Sequence, residues 1–253
     1  MTRKTQALAL RIWPHSNTSQ IIAWLTPDRG RISTLAKGAL RPRSHFLGQC
    51  DLFYTCELVY YARSKTDLYI AKEMAALTPR SAFRADWRAS CAASYWSSLL
   101  QHVSVEQNQN DELFAMALLA LDALTTGTNL ERTLLWGELK VLHYLGLSPE
   151  LNQCAICHRP STQDTVKSFS IQHGGIVCPS CSKACTVKPQ RLGPEQLTFL
   201  REVRAAKHPR DLRLPTMASK QLLELQRIIG LFLEFHIETS SFNRNIALST
   251  FAK

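Results

Sequence analysis

Glycine and proline are scarce in this chain, 10 and 11 among 253 residues, which excludes a collagen-like repeat and a long low-complexity linker. Long apolar runs are missing too. The longest, Phe114 to Leu121 and Ile228 to Leu233, fall far short of the ~20 residues that a membrane-spanning helix needs. Ala7 to Leu10 is cut off by Arg11 and is too short for a signal-peptide core. There is no G-x-S-x-G, no G-x-G-x-x-G and no phosphate-cradling glycine loop, so the commonest hydrolase and nucleotide-binding chemistries have no support. Clustered carboxylates for a catalytic metal pair are lacking as well. His102, His143 and His208 stand alone and read as packing or surface groups. We expect no enzyme. The expected setting is cytosolic and reducing, where the eight cysteines serve as thiols or metal ligands rather than disulfides.

Positive charge, by contrast, is plentiful and unevenly spread. The formal net charge is +10. Residues 1–45 hold Arg3, Lys4, Arg11, Arg29, Arg31, Lys37, Arg41 and Arg43 against the single acid Asp28, a net of +7. Residues 183–213 hold eight basic groups against Glu195, Glu202 and Asp211, a net of +5. Charge gathered in two segments makes a directional field whose natural partner is a polyanion. An anionic membrane surface is the lesser competitor.

Residues 5–77 read as β. Leu8, Leu10 and Ile12 alternate with Ala7, Ala9 and Arg11, and Thr18 to Thr26 is β-branched up to the turn at Pro27-Asp28-Arg29-Gly30. Gly30 to Lys37 is a third strand, and a basic loop follows from Gly38 to Gly48. Cys50 to Arg63 is a long alternating strand, and Leu68 to Ala76 is either a fifth strand or the start of a helix. Five strands of this size suit a small barrel, of which the OB-fold is the five-stranded choice; spacing does not separate it from an SH3-like barrel. From residue 79 the period becomes helical: Ala82 to Val103, Asp111 to Thr125, Asn129 to Leu145, Pro194 to Ala206 and Met217 to Ile237. Asp111 and Asn129 are candidate caps, Gly127 and Gly146 candidate stops, and the five helices are expected to form one bundle.

Between the third and fourth helices, Cys154 and Cys157 flank two residues, and Cys178 and Cys181 flank two more. A two-residue gap lets one tight turn present both sulfurs to one ion, and two such knuckles complete the tetrahedral set that zinc prefers. Such a Zn2+ has no open position for water and is structural. Cys185, His158 and His173 lie close enough to be alternative ligands. A deaminase-like catalytic zinc requires H-x-E ahead of P-C-x-x-C. Here Pro179 follows Cys178, and His236-Ile237-Glu238 comes after the cysteines, so order excludes it. Gly174-Gly175 reads as the hairpin turn between the knuckles, and Cys50, Cys56 and Cys91 as core. Trp13, Trp24, Phe53 and Tyr54 are candidates for stacking on bases and equally for barrel core.

Asn17-Thr18-Ser19, Leu25-Thr26, Gly30-Arg31-Ile32-Ser33 and Ala36-Lys37-Gly38-Ala39 before a basic loop resemble the amino-terminal domain of the RecO family. Asn17 stands where that family usually carries an acid. Glu138 to Leu142, Leu145-Gly146-Leu147, Pro149 and Leu151, then Cys154 and Cys157, resemble its helix ending just before a zinc insert, with Leu147 replacing the usual aromatic. The order of elements agrees over almost the full length; the tail from Thr239 to Lys253 matches nothing obvious.

The resemblance implies an α+β chain: a five-stranded OB-like barrel over 1–78, a helical domain over 79–149 and 187–253, and a four-cysteine zinc-binding insert over 150–186. It implies a recombination mediator, cytoplasmic and nucleoid-associated, that binds single- and double-stranded DNA and anneals complementary strands. Contact with RecR and with single-stranded-DNA-binding protein, and loading of RecA at gaps, are implied too. The charge pattern places the DNA track on Arg29, Arg31, Lys37, Arg41 and Arg43, with Arg201, Arg204 and Lys207 extending it. The metal ligands are expected to be Cys154, Cys157, Cys178 and Cys181. The alternative is a zinc-ribbon protein that binds RNA or acts in transcription.

Overall fold

A computed structural model describes residues 1–62, 68–106, 108–127, 129–161, 167–212 and 217–251. They fall into two compact units, one running from Met1 to Leu130 and joined by the chain end from Ile246, the other spanning Glu131–Asn245.

The first unit begins with β1 (Thr2–Pro14), β2 (Gln20–Thr26), β3 (Gly30–Ala36), β4 (Thr55–Tyr61) and β5 (Leu68–Thr78). They close into a barrel in the order β1-β2-β3-β5-β4, with β1 also paired to β4 and with β3 and β5 parallel. That order is OB-like. Strand alternation sorts the side chains: on β3, Ile32, Thr34 and Ala36 point in while Arg31, Ser33 and Leu35 point out. Ala7, Ala9, Ile22, Trp24, Leu58 and Tyr60 fill the interior. The Trp24 indole N–H donates to Thr34 Oγ1 at 2.8 Å, so its polar edge is satisfied inside the core. β1 bulges between Ala9 and Arg11, and the Leu10 carbonyl accepts from the Ser97 hydroxyl at 2.8 Å.

Two boundaries differ from expectation for local reasons. The strand expected from Cys50 starts only at Thr55, because Asp51–Tyr54 turn and Phe53 takes a left-handed φ of 66°. It ends at Tyr61, Arg63 lying outside the described residues. The helix expected over Ala82 to Val103 is two, α1 (Ala82–Ala85) and α2 (Trp87–Val103). Asp86 leaves helical angles, and its carboxylate accepts from the Arg88 and Ala89 N–H groups, capping α2. Asn110, not Asp111, caps α3 (Asp111–Leu124) by accepting from the Leu113 N–H at 3.1 Å. Arg80 is 5% exposed and joins this unit together: it donates to the Phe53 carbonyl and Thr55 Oγ1 and pairs with Asp122 at 2.7 Å.

α4 (Leu130–Tyr144) leads into the second unit. There β6 (Lys167–Ser170), β7 (Gly175–Val177) and β8 (Gln190–Leu192) form a small sheet in the order β7-β6-β8. The helices α5 (Pro179–Ala184), α6 (Pro194–Ala205) and α7 (Ser219–Ile237) accompany it, followed by α8 (Phe242–Ser249). Gly174 sits at φ 74°, and a Cβ on Gly175 would meet the Glu150 carbonyl at 2.5 Å, so the hairpin needs both glycines. The tail, silent in the sequence, delivers Arg244 to Glu138 as a buried, two-point pair at 2.6 and 3.0 Å. Gly230 on α7 makes room for it, since a Cβ there would lie 2.6 Å from the guanidinium.

Candidate nucleic-acid interface and metal centre

The +7 segment divides into anchored and free cations. Arg31 is anchored: it donates to the Gln101 carbonyl at 2.8 Å and pairs with Glu106 at 3.1 Å. Gly30 beside it has φ 57° and no room for a Cβ, which would lie 2.4 Å from the Val105 carbonyl. The Gly30-Arg31 pair is therefore a strap that fastens β3 to the segment following α2. Lys4 pairs with Glu57 at 2.8 Å, and Arg29 reaches the Tyr69 hydroxyl at 3.5 Å. Lys37, Arg41 and Arg43 are exposed and make no ion pair among the described residues.

The backbone explains why those three stay outside. After β3 the chain turns through Gly38 at φ 70°. The Gly38 N–H donates to Ser19 Oγ at 3.1 Å, and the Leu40 N–H donates to the Thr18 carbonyl at 3.0 Å. Ala39 and Phe46 are buried in the barrel core. The loop is thus pinned along its backbone and apolar residues while its cations face water, where a phosphate can reach them without breaking an existing contact.

The second basic segment belongs to the other unit. Arg201 donates to the Leu151 carbonyl at 2.8 Å and is partly buried, whereas Arg204 and Lys207 are exposed. Arg213 lies outside the described residues.

Cys154, Cys157, Cys178 and Cys181 converge, their sulfurs all within 4.8 Å of one another. The Cys157 and Cys178 sulfurs are 3.8 Å apart, matching the edge of about 3.8 Å that 2.3 Å bonds define at tetrahedral angles. Burial would push the Cys154 thiol up, but the N–H groups of Cys157, Cys178 and Ile156 point at its sulfur and hold it down at about 6. The Cys181 N–H likewise lowers Cys178, while Cys181, which donates to Cys178, is pushed up to about 12. One sulfur must keep its proton when four share so small a space, and a cation relieves that. This donor set fits a metal ion. Cys185 and His173 are not in the four-sulfur cluster: the Cys185 thiol donates to the Cys181 carbonyl at 3.4 Å and lies 3.9 Å from His173 Nδ1, while His158 closes the first knuckle by donating its backbone N–H to the Cys154 carbonyl.

Of the four aromatic candidates for stacking, Trp24, Phe53 and Tyr54 are buried core; Trp13 is half-exposed, with the Arg11 guanidinium 5.6 Å from its ring centroid. His143 bonds Ser148, and His208 accepts the Arg210 N–H; both serve local structure. Sequence reading missed Arg80, Glu138 and Arg244. Only Glu138, a lone acid on an apolar helix face, offered a signal.

Together, an OB-like barrel, α-helices and a four-thiol knuckle able to hold a metal define a small class of multi-part chains. No described helix is long and apolar enough to cross a membrane. A family described as "Recombination protein O N terminal" matches residues 1–80, and one described as "Recombination protein O C terminal" matches residues 84–245. Relatives of this chain carry the name DNA repair protein RecO. That of Dehalococcoides mccartyi is 30% identical over 93% of this chain and 90% of its own length. That of Syntrophus aciditrophicus is 28% identical over 88% and 89%, and that of Rhodopirellula baltica 33% identical over 69% and 65%. The chain belongs to the RecO family of DNA repair proteins.

Proposed function

We propose that this chain is a recombination mediator that binds single- and double-stranded DNA, anneals complementary strands and helps load recombinase at gaps and breaks. The observation that carries this reading is the pinned loop with Lys37, Arg41 and Arg43 facing solvent on an OB-like barrel. Cations on phosphates release counterions, so binding is independent of sequence and steeply dependent on salt. Two strands held on one positive surface repel each other less, and base pairing then decides the outcome. Arg29, in the β2–β3 turn beside the Tyr69 hydroxyl, is a further candidate contact; Arg31 contributes least, because its donors are engaged. Arg204 near the end of α6 and Lys207 just beyond it are the second unit's candidates, with Arg201 tying α6 to the Leu151 carbonyl.

The division of labour assigns the main DNA contact to residues 1–78, scaffolding and at most an accessory DNA contact to 79–149 and 187–253, and metal binding to 150–186. Zinc on Cys154, Cys157, Cys178 and Cys181 would fix the insert, its coordination complete without water. RecR and single-stranded-DNA-binding protein as partners, RecA loading downstream and a place in the nucleoid rest on family membership. A zinc-ribbon role on RNA or in transcription has no observation beyond the cysteines in its favour.

The test is an annealing assay on complementary oligonucleotides, with and without single-stranded-DNA-binding protein, at two salt concentrations. Annealing by K37A/R41A/R43A should be slowed about ten-fold or more at the lower salt, where counterion release makes each lost phosphate contact weigh most. Annealing at the native rate would remove the loop from the mechanism.

A further inference from the structure

Around the outside of the barrel, one rung of the strand ladder is apolar from end to end. Trp13 on β1 pairs with Ile21 on β2, Ile21 with Leu35 on β3, Leu35 with Ile70 on β5, and Ile70 with Tyr61 on β4. Their chain neighbours Ile12, Ile22, Ala36, Tyr69, Ala71 and Tyr60 pack in or against the interior cluster, so alternation turns all five outward. Tyr61 is 40% exposed, and the other four are half-buried. At one strand spacing per step, the rung spans roughly 19 Å of barrel surface. Five apolar side chains in register on a solvent face call for an occupant.

The borders of the rung say which occupant. Arg11 lies over the Trp13 ring, 5.6 Å from its centroid. Lys37 follows Leu35 by two residues at the end of β3, and Lys72 follows Ile70 by two on β5, in an ion pair with Glu73. The pinned loop carrying Arg41 and Arg43 is tied, through Thr18 and Ser19, to the turn between β1 and β2 into which Trp13 and Ile21 lead. An apolar protein segment has no use for such a fringe. A polyanion with exposed ring faces uses both parts: phosphates on the cations, bases on the indole, the phenol and the aliphatic side chains.

We infer that this rung is a stacking shelf for unpaired bases and gives the chain its preference for single strands over duplex. The inference rests on the DNA-binding reading above and adds a second, uncharged element to it. Duplex DNA offers the loop its phosphates but keeps its bases stacked inside, out of the shelf's reach. Pairing therefore withdraws the bases from Trp13 and Tyr61, and the annealed product is held by charge alone. A surface built this way binds its substrate more tightly than its product.

Fluorescence anisotropy with three probes of equal length tests this: oligo(dT), an abasic sugar–phosphate strand, and a duplex. The native chain should bind oligo(dT) about ten-fold more tightly than the abasic strand. W13A/Y61A should lose that advantage, leave the abasic strand and duplex within about two-fold, keep the native salt slope, and be largely rescued by W13F/Y61F. The comparison of oligo(dT) with the abasic strand on the native chain needs no variant, so it stands even if W13A/Y61A folds poorly. Equal affinity of the native chain for those two probes overturns the shelf, as does native oligo(dT) affinity in folded W13A/Y61A. Should the native chain bind none of the three probes, the DNA-binding reading itself fails; if K37A/R41A/R43A loses all three while W13A/Y61A loses none, only the shelf does.

Discussion

The barrel and the cysteine insert hold their shapes by different means. The barrel closes on itself, leaves no sheet edge, and buries Trp24, Tyr60, Ile22 and Leu58 completely; each such side chain contributes about 1.5–3 kcal/mol. The insert has strands of only three or four residues and buries little beyond Phe169, Ile176, Val177 and Leu192. So small a sheet does not stand alone in water. A metal on its four sulfurs would supply the stability such a sheet lacks, and on that account the two regions should fail independently.

The largest expected effect separates them. Stripping the metal with a chelator, or replacing Cys178 by Ser, should remove on the order of 10 kcal/mol from the insert. Limited proteolysis should then cut between residues 150 and 190 while the barrel survives; unchanged protease resistance would show that no metal holds the insert. The reverse experiment is Trp24→Ala, which should cost about 3–5 kcal/mol in urea unfolding of the barrel with metal content untouched. In the second unit, Glu138→Leu strands the buried Arg244 charge and should cost about 3–5 kcal/mol, most of it regained in E138L/R244M. If the double variant is no more stable than the single, the pair is not the reason. The smallest effect is a cap: Asp86→Ala should cost about 1 kcal/mol by thermal melting, confined to the start of α2.

What the sequence makes legible follows the same divide. The barrel's alternation and the two C-x-x-C pairs are local patterns, and both appear where their spacing places them. The Gly30-Arg31 pair is legible as a motif, but its contacts with Val105, Gln101 and Glu106, distant in sequence, are not. Asp86 and Asn110 were hidden because a cap is defined by backbone angles, which an unbroken apolar period conceals. The Arg244–Glu138 pair joins residues 106 apart, a separation no local pattern spans. The apolar rung escaped notice because its members come from five strands and meet only in the closed register.

The dependence of DNA affinity on salt tests the central claim most directly, since it counts phosphates rather than contacts in general. On single-stranded DNA, K37A/R41A/R43A should lower the slope of log K against log salt by about two units, with the melting temperature unchanged. A native slope in the folded triple variant would mean that the strand rests elsewhere on the molecule.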